Sequence, residues 1–311
     1  MLYYNIMPPP LTFRGEPMKK IGLLLIVCLG LSLPARADTP LPIVASFSIL
    51  GDMVKEVGGP AVTVTVLVGP NGDTHVYEPT PKDAKTLAEA KFLFVNGLGF
   101  EGWMPRLAEA SGFRGRMITA SEGIKPRLVK ADEIDPHAWQ DPENGLIYVR
   151  NIAIALEHAL PNQATDIKLR AQAYSDRIKA MDQKLRAEFI TIPAQKRRII
   201  TSHDAFGYFG AAYGIEFLAP VGISSGAEPS AGQLGSLIRQ MRAEGIKTVF
   251  LENMESHRLA EQLAKEAGAQ LGGELYSDAL SDPKGPAPTY LAMFDNNAPK
   301  LLKAMQENDR R

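Results

Sequence analysis

Short apolar runs of strand-forming residues alternate with helical patterns along most of this chain. Residues 42–47 and the β-branched run 61–68 predict strands, and the helical pattern at 49–57 between them ends at Gly58-Gly59. A helix at 81–90, a strand at 92–96, a helix at 101–110 and a strand at 116–119 continue the series. Such alternation predicts a mostly parallel sheet with helices on its faces. After a helix at 142–160, broken by Pro161-Asn162, comes the longest periodic segment, 163–189. Its apolar stripe is Ile167, Ala171, Tyr174, Ile178, Met181, Leu185 and Phe189, with the pairs Asp166/Arg170 and Asp182/Arg186 assigned to its wet side. A helix of that length spans about 40 Å. Its repeat lasts only three to four heptads, which favours a linking helix over a coiled-coil partner.

The alternation then restarts. Strands are predicted at 198–201, 216–221, 248–252 and 273–276, and helices follow Ser202-His203-Asp204 through Tyr213 and occupy 231–243, 256–267 and 289–306. Ser230 is placed as an N-cap and Gly268 as a helix stop. The second half thus mirrors the first. The expected fold is α/β in two lobes, each a mostly parallel sheet flanked by helices, joined by one long helix. The expected divisions are 38–160, 161–192 and 193–311.

The beginning of the chain belongs to neither lobe. Met18-Lys19-Lys20, the apolar stretch 21–33 and Ala35-Arg36-Ala37 form a signal peptide, with cleavage near Ala37/Asp38 and export to the periplasm. Residues 1–17 fit neither signal nor domain. Cys28, the only cysteine, lies mid-stretch behind bulky Val27, which argues against lipidation. Cleavage removes it, leaving no disulfide or thiolate ligand. It also removes four basic residues and one acid, taking the net charge from −1 to −4. A mildly acidic surface argues against nucleic acid or an anionic membrane as partner. No later apolar run is long enough to span a bilayer.

Candidate chemistry sits just past predicted strand ends. His75 lies in Gly69-Pro70-Asn71-Gly72-Asp73-Thr74-His75, stiffened on its far side by Glu78-Pro79-Thr80-Pro81; His137 lies in Asp135-Pro136-His137-Ala138-Trp139. His203 and Asp278 occupy equivalent places in the second half. In open α/β sheets ligands bind at the carboxyl ends of strands. The spacings of 62, 66 and 75 residues form no compact motif, so the argument rests on position. The remaining two of the five histidines, His158 and His257, fall within or at the start of helices and read as surface positions. Three imidazoles and one carboxylate suit tetrahedral zinc, whereas manganese or ferrous iron usually takes more oxygen. Asp73, Asp135, Asp141, Asp204 and Glu228 are all available to accept from the free ring nitrogens.

At these residues the chain resembles the zinc/manganese solute-binding proteins of bacterial metal ABC importers, the cluster A-I group. The resemblance rests on residues 72–81, 135–142, 202–208, 228–230 and 276–280 and covers the mature chain. It implies two lobes bridged by a long helix with the ion between them, held by His75 and His137 from one lobe and His203 and Asp278 from the other. Histidine at the third position, where manganese binders carry glutamate, favours zinc as the transported ion, with Mn2+ or Fe2+ as alternatives. It implies a monomeric, non-enzymatic protein that delivers its ion to an ABC permease. Residues 76–136 lack the histidine-rich loop of many zinc members; either a periplasmic metallochaperone loads the ion or no capture loop is needed. A zinc hydrolase is the competing reading. It would need an open coordination position and a general base, and no His-Glu-x-x-His pattern occurs.

Overall fold

The computed structural model describes residues 9–12, 39–130, 132–226, 229–254 and 257–308. The signal-peptide assignment and Glu228 lie outside them.

The first half opens with β1 (Leu41–Phe47), α1 (Ser48–Gly58) and β2 (Val62–Val68). Next come α2 (Pro81–Glu89), β3 (Phe92–Val95), α3 (Met104–Ser111) and β4 (Arg116–Thr119). The order β2-β1-β3-β4 is parallel throughout. Central β1 is buried from Ile43 to Phe47, whereas edge strand β2 alternates half-buried valines with exposed threonines, as its Val-Thr-Val-Thr pattern dictates. Helix α1 lies so close to β2 that a Cβ on Gly51 would sit 2.4 Å from a Val66 methyl. Beyond β4 a small antiparallel pair appears, β5 (Leu128–Lys130) with β6 (Glu133–Ile134). Strands of three and two residues are too short to show a period, so sequence reading missed them.

Helix α4 (Pro142–Ala159) is capped by Asp141, whose carboxylate accepts from the Glu143 N–H. The long helix α5 (Ala164–Phe189) follows. Of the anticipated stripe, Ile167, Ala171, Tyr174, Ile178, Leu185 and Phe189 are buried and Met181 partly so. The two charged pairs behave differently from expectation. Arg170 donates to the carbonyls of Val57 and Gly58, capping the end of α1 rather than lying on a wet face. Asp182 does pair with Arg186 at 2.8 Å but is buried, because Tyr213 donates its hydroxyl to the other oxygen.

The second half contains β7 (Arg198–Ile200), α6 (Gly207–Tyr213), β8 (Glu216–Leu218), α7 (Ala231–Glu244) and β9 (Thr248–Glu252). It ends with α8 (Arg258–Ala267), β10 (Gln270–Leu275) and α9 (Tyr290–Glu307). This sheet, β10-β9-β7-β8, is again parallel. Ser230 caps α7 in a full capping box with Gln233, and Gly268 ends α8 in the left-handed region. Strand β8 stops earlier than predicted because Pro220 offers no N–H to the ladder; pairing resumes only as the bridge between Val221 and His203.

The unit Thr39–Arg311 is compact, and its main core runs from the first sheet through α1, α4, α5 and α9 to Phe206, Phe209 and Leu275 of the second half. A smaller core lies between β7, β9 and the helices α7 and α8. Among the described residues no helix is long and apolar enough to cross a membrane.

The strand end that delivers Asp278 is pinned from α9. Buried Asn297 accepts from the Tyr276 N–H at 3.0 Å and donates to the Tyr276 carbonyl at 2.7 Å. Asn297→Ala strands both backbone groups and should lower the unfolding free energy by about 2–4 kcal/mol, read from the urea midpoint at unchanged slope. A loss below about 1 kcal/mol would show that water replaces the amide.

Candidate metal centre

Four loops at the carboxyl ends of strands converge between the two sheets. The loop after β2 is fixed at both ends. The His75 N–H donates to Asp73 Oδ1 at 2.9 Å, Asp73 Oδ2 accepts from Ser225 of the other half at 2.6 Å, and the Asn71 N–H donates to the Leu280 carbonyl at 3.0 Å. On its far side Thr80 and Asp83 form a capping box, and Tyr77 donates to Asp83. Trp103 donates its ring N–H to the Thr74 carbonyl.

His137 follows β6. Asp135 Oδ1 accepts from both its backbone N–H, at 3.0 Å, and its ring Nδ1, at 2.8 Å, while Asp135 Oδ2 pairs with Arg127 at 2.9 Å. His203 follows β7 and is held in the same manner by Glu252 at the end of β9. Glu252 Oε1 accepts from the backbone N–H groups of Ser202 and His203, and Oε2 stands 2.9 Å from His203 Nδ1. Asp278 follows β10. The carbonyl of its neighbour Ser277 accepts from Trp139 Nε1 at 2.9 Å and Gln140 Nε2 at 2.7 Å, both from the first half.

With their Nδ1 atoms engaged by carboxylates, His137 and His203 present Nε2 inward. His75 Nε2 lies 3.2 Å from His137 Nε2 and 3.2 Å from Asp278 Oδ2; that oxygen lies 3.5 Å from His137 Nε2 and 3.3 Å from His203 Nε2. All four donor atoms fall within 4.8 Å of one another. An ion about 2.0–2.1 Å from four tetrahedral donors needs them about 3.3–3.4 Å apart. The side chains of His137, His203 and Asp278 are fully enclosed and that of His75 is 6% exposed. Among the described residues the oxygens of buried Asp278 meet no hydrogen-bond donor outside the three imidazoles, so its charge is compensated by what lies among those rings. This donor set fits a divalent cation.

The charges are strongly coupled. Burial opposes a cation on His137, but the carboxylates of Asp278 and Asp135 outweigh it and raise its pKa to about 9. His203 is pushed the same way, against burial, by Glu252 and Asp278. Burial works against an anion at Asp278, yet His137 and His203 hold it well below the ordinary carboxylate range. Without an ion, protons therefore take the cation's place.

The four ligand candidates named from sequence are thus brought together. Of the proposed outer acceptors, Asp135 serves His137, Asp73 holds a backbone N–H rather than a ring, and Asp141 caps α4. Asp204 reaches its place through its backbone N–H, donated to the Gly222 carbonyl. Sequence reading missed Glu252. The available signal was a lone carboxylate closing the otherwise uncharged strand Thr-Val-Phe-Leu-Glu. His158 lies in the last turn of α4, and His257 is largely exposed with Glu274 3.9 Å away.

Residues 43–304 match the family model described as ZnuA, zinc-uptake complex component A, periplasmic. The chain is 34% identical to the iron-binding protein YfeA of Yersinia pestis over 87% of its own length and 88% of the relative's. It is 31% identical to the manganese-binding lipoprotein MntA of Bacillus subtilis, over 87% and 91%. The solved periplasmic zinc-binding protein TroA from Treponema pallidum superposes with a TM-score of 0.83 at 29% identity, over 86% of this chain and 99% of that one.

Because the folded-state pKa of His137 lies above the unfolded value near 6.5, its contribution to stability is full below that value. It is lost as pH rises toward 9. In the presence of a chelator the melting temperature should accordingly fall between about pH 6.5 and 9. A flat or rising profile over that window would show that His137 is not held as a cation.

Proposed function

From the premise that the chain belongs to the ZnuA family, the metal-binding components of ABC importers rather than enzymes, we propose that its cargo is zinc. The proposed ligands are His75, His137, His203 and Asp278, with the ion handed to a membrane permease. The supporting observation is the donor set itself. Three imidazole nitrogens and one carboxylate oxygen stand at separations that suit a four-coordinate ion. The set carries a net charge of about −1, so a divalent ion is bound without full neutralisation and mild acid favours its loss.

Manganese or iron is the second reading. Among the described residues the second oxygen of Asp278 is buried without a hydrogen bond, so the carboxylate is free to bind through both oxygens and supply a fifth donor. Relatives named for iron and manganese point the same way.

The same proposal takes 38–160 and 193–311 as the two metal-binding lobes and 161–192 as their link. The chain acts as a monomer in the periplasm after removal of a signal peptide near Ala37/Asp38. Since 76–136 carries no histidine, loading depends on the preformed centre or on a metallochaperone.

Elemental analysis of protein purified from its own periplasm should find zinc at one ion per chain. Manganese or iron in that place would establish the second reading. Asp278→Ala should lose zinc affinity by at least 100-fold in competition with a chelator, since it removes the only anionic ligand. Mass spectrometry of the mature amino terminus should begin near Asp38, and an acylated Cys28 would overturn the free periplasmic form.

A further inference from the structure

We propose that Phe100 determines metal specificity: its ring, clamped by buried Glu101, completes a dry aromatic wall behind His75 and His137 that restricts the ion to four ligands. The inference rests on the metal-centre reading above and goes beyond it by assigning a residue that contributes no donor atom.

The wall consists of Phe47, Phe100 and Trp139, all buried. Phe100 meets His75 edge-on at 4.8 Å between centroids and His137 at 6.0 Å. It packs on Phe47 at 5.1 Å and Trp139 at 4.8 Å, and Trp139 in turn packs on His137 at 5.4 Å. Edge-to-face packing fixes the orientation of the imidazoles as well as covering them. The only ligand with any solvent exposure, His75, is the one Phe100 touches most closely.

The backbone that presents Phe100 is unusual. Gly97, Leu98 and Gly99 adopt φ of 83°, 56° and 84°, three successive left-handed residues of which one is a leucine. Such a turn persists only where its surroundings overdetermine it, and strained backbone concentrates at functional sites. Here the surroundings are Glu101. Its Oε1 accepts from the Ser46 hydroxyl and the Asn96 N–H, each at 2.6 Å, and its Oε2 accepts from the Gly97 N–H at 3.2 Å. Asn96 extends the clamp to the second imidazole by donating its side-chain amide to the Pro136 carbonyl, one residue before His137. A buried carboxylate that touches none of the ligands thus sets the position of the ring that backs two of them.

Zinc accepts four nitrogen and oxygen donors, whereas manganese favours a larger, oxygen-rich shell completed by water. A wall that admits no water on one flank leaves the four-coordinate ion unaffected and penalises the other. Removing the ring opens space beside His75 and frees both imidazoles to tilt.

Zinc and manganese affinities should be measured by chelator competition for the wild type, Phe100→Ala, Phe100→Leu and Glu101→Gln. The visible spectrum of the cobalt(II)-loaded proteins reports coordination number. The wild type should give the intense bands of tetrahedral cobalt. Phe100→Ala should lose zinc affinity by about 10–100-fold, with manganese affected less and the cobalt bands weakened. Phe100→Leu keeps most of the buried volume and should move in the same direction. So should Glu101→Gln, whose amide nitrogen cannot accept a hydrogen bond. If both Phe100 variants fold by circular dichroism yet keep the wild-type zinc-to-manganese ratio and cobalt spectrum, the inference is overturned; equal losses for both metals overturn it as well. A wild type that binds none of the three ions overturns the metal centre itself, and this inference with it.

Discussion

The fold converges on one buried carboxylate. Asp278 is enclosed by protein and, among the described residues, meets no donor other than three imidazoles contributed by three other loops. An isolated anion in that position would be strongly disfavoured, so it requires a positive charge among those rings, whether protons or an ion. Because the carboxylate comes from one half of the molecule and two of the imidazoles from the other, its compensation ties the halves together. The backbone reinforces the tie where Trp139 and Gln140 grip the carbonyl of Ser277, one residue before the carboxylate.

Around that charge the structure places a second layer of acids at strand ends. Asp135 accepts from the His137 ring and its backbone N–H, while Glu252 accepts from two backbone N–H groups and stands 2.9 Å from the His203 ring, so each side chain faces the imidazole and shapes the turn that carries it. Both acids are buried, and the histidines they hold complete the same ion-sized space. This is the carboxylate–histidine arrangement common where an imidazole must keep one tautomer toward a metal. The solved protein named for zinc shares the architecture, and relatives by sequence are named for iron and manganese.

The parallel strands and intervening helices were readable because hydrophobic periodicity is local and repeats every few residues. Helix α5 was predicted to within a residue at its amino end, and its apolar stripe identified most of the face it buries. The failures have equally local causes. The pair β5 and β6 is too short to carry a period, Pro220 cuts β8, and Arg170 and Asp182 serve partners from other elements that spacing along one helix cannot reveal.

By itself the sequence determined the α/β alternation, the long linking helix and the placement of His75, His137, His203 and Asp278 past strand ends. Each of these follows from neighbours in the chain. Only the tertiary structure decided that the four donor atoms, separated by 62, 66 and 75 residues, stand within 4.8 Å of one another. It alone set the carboxylates of Asp135 and Glu252 beside the ring nitrogens and Phe100 against two of the rings. Periodicity says which face of an element is buried but carries no information about which distant face it meets. That choice is made by packing two sheets across a shared core.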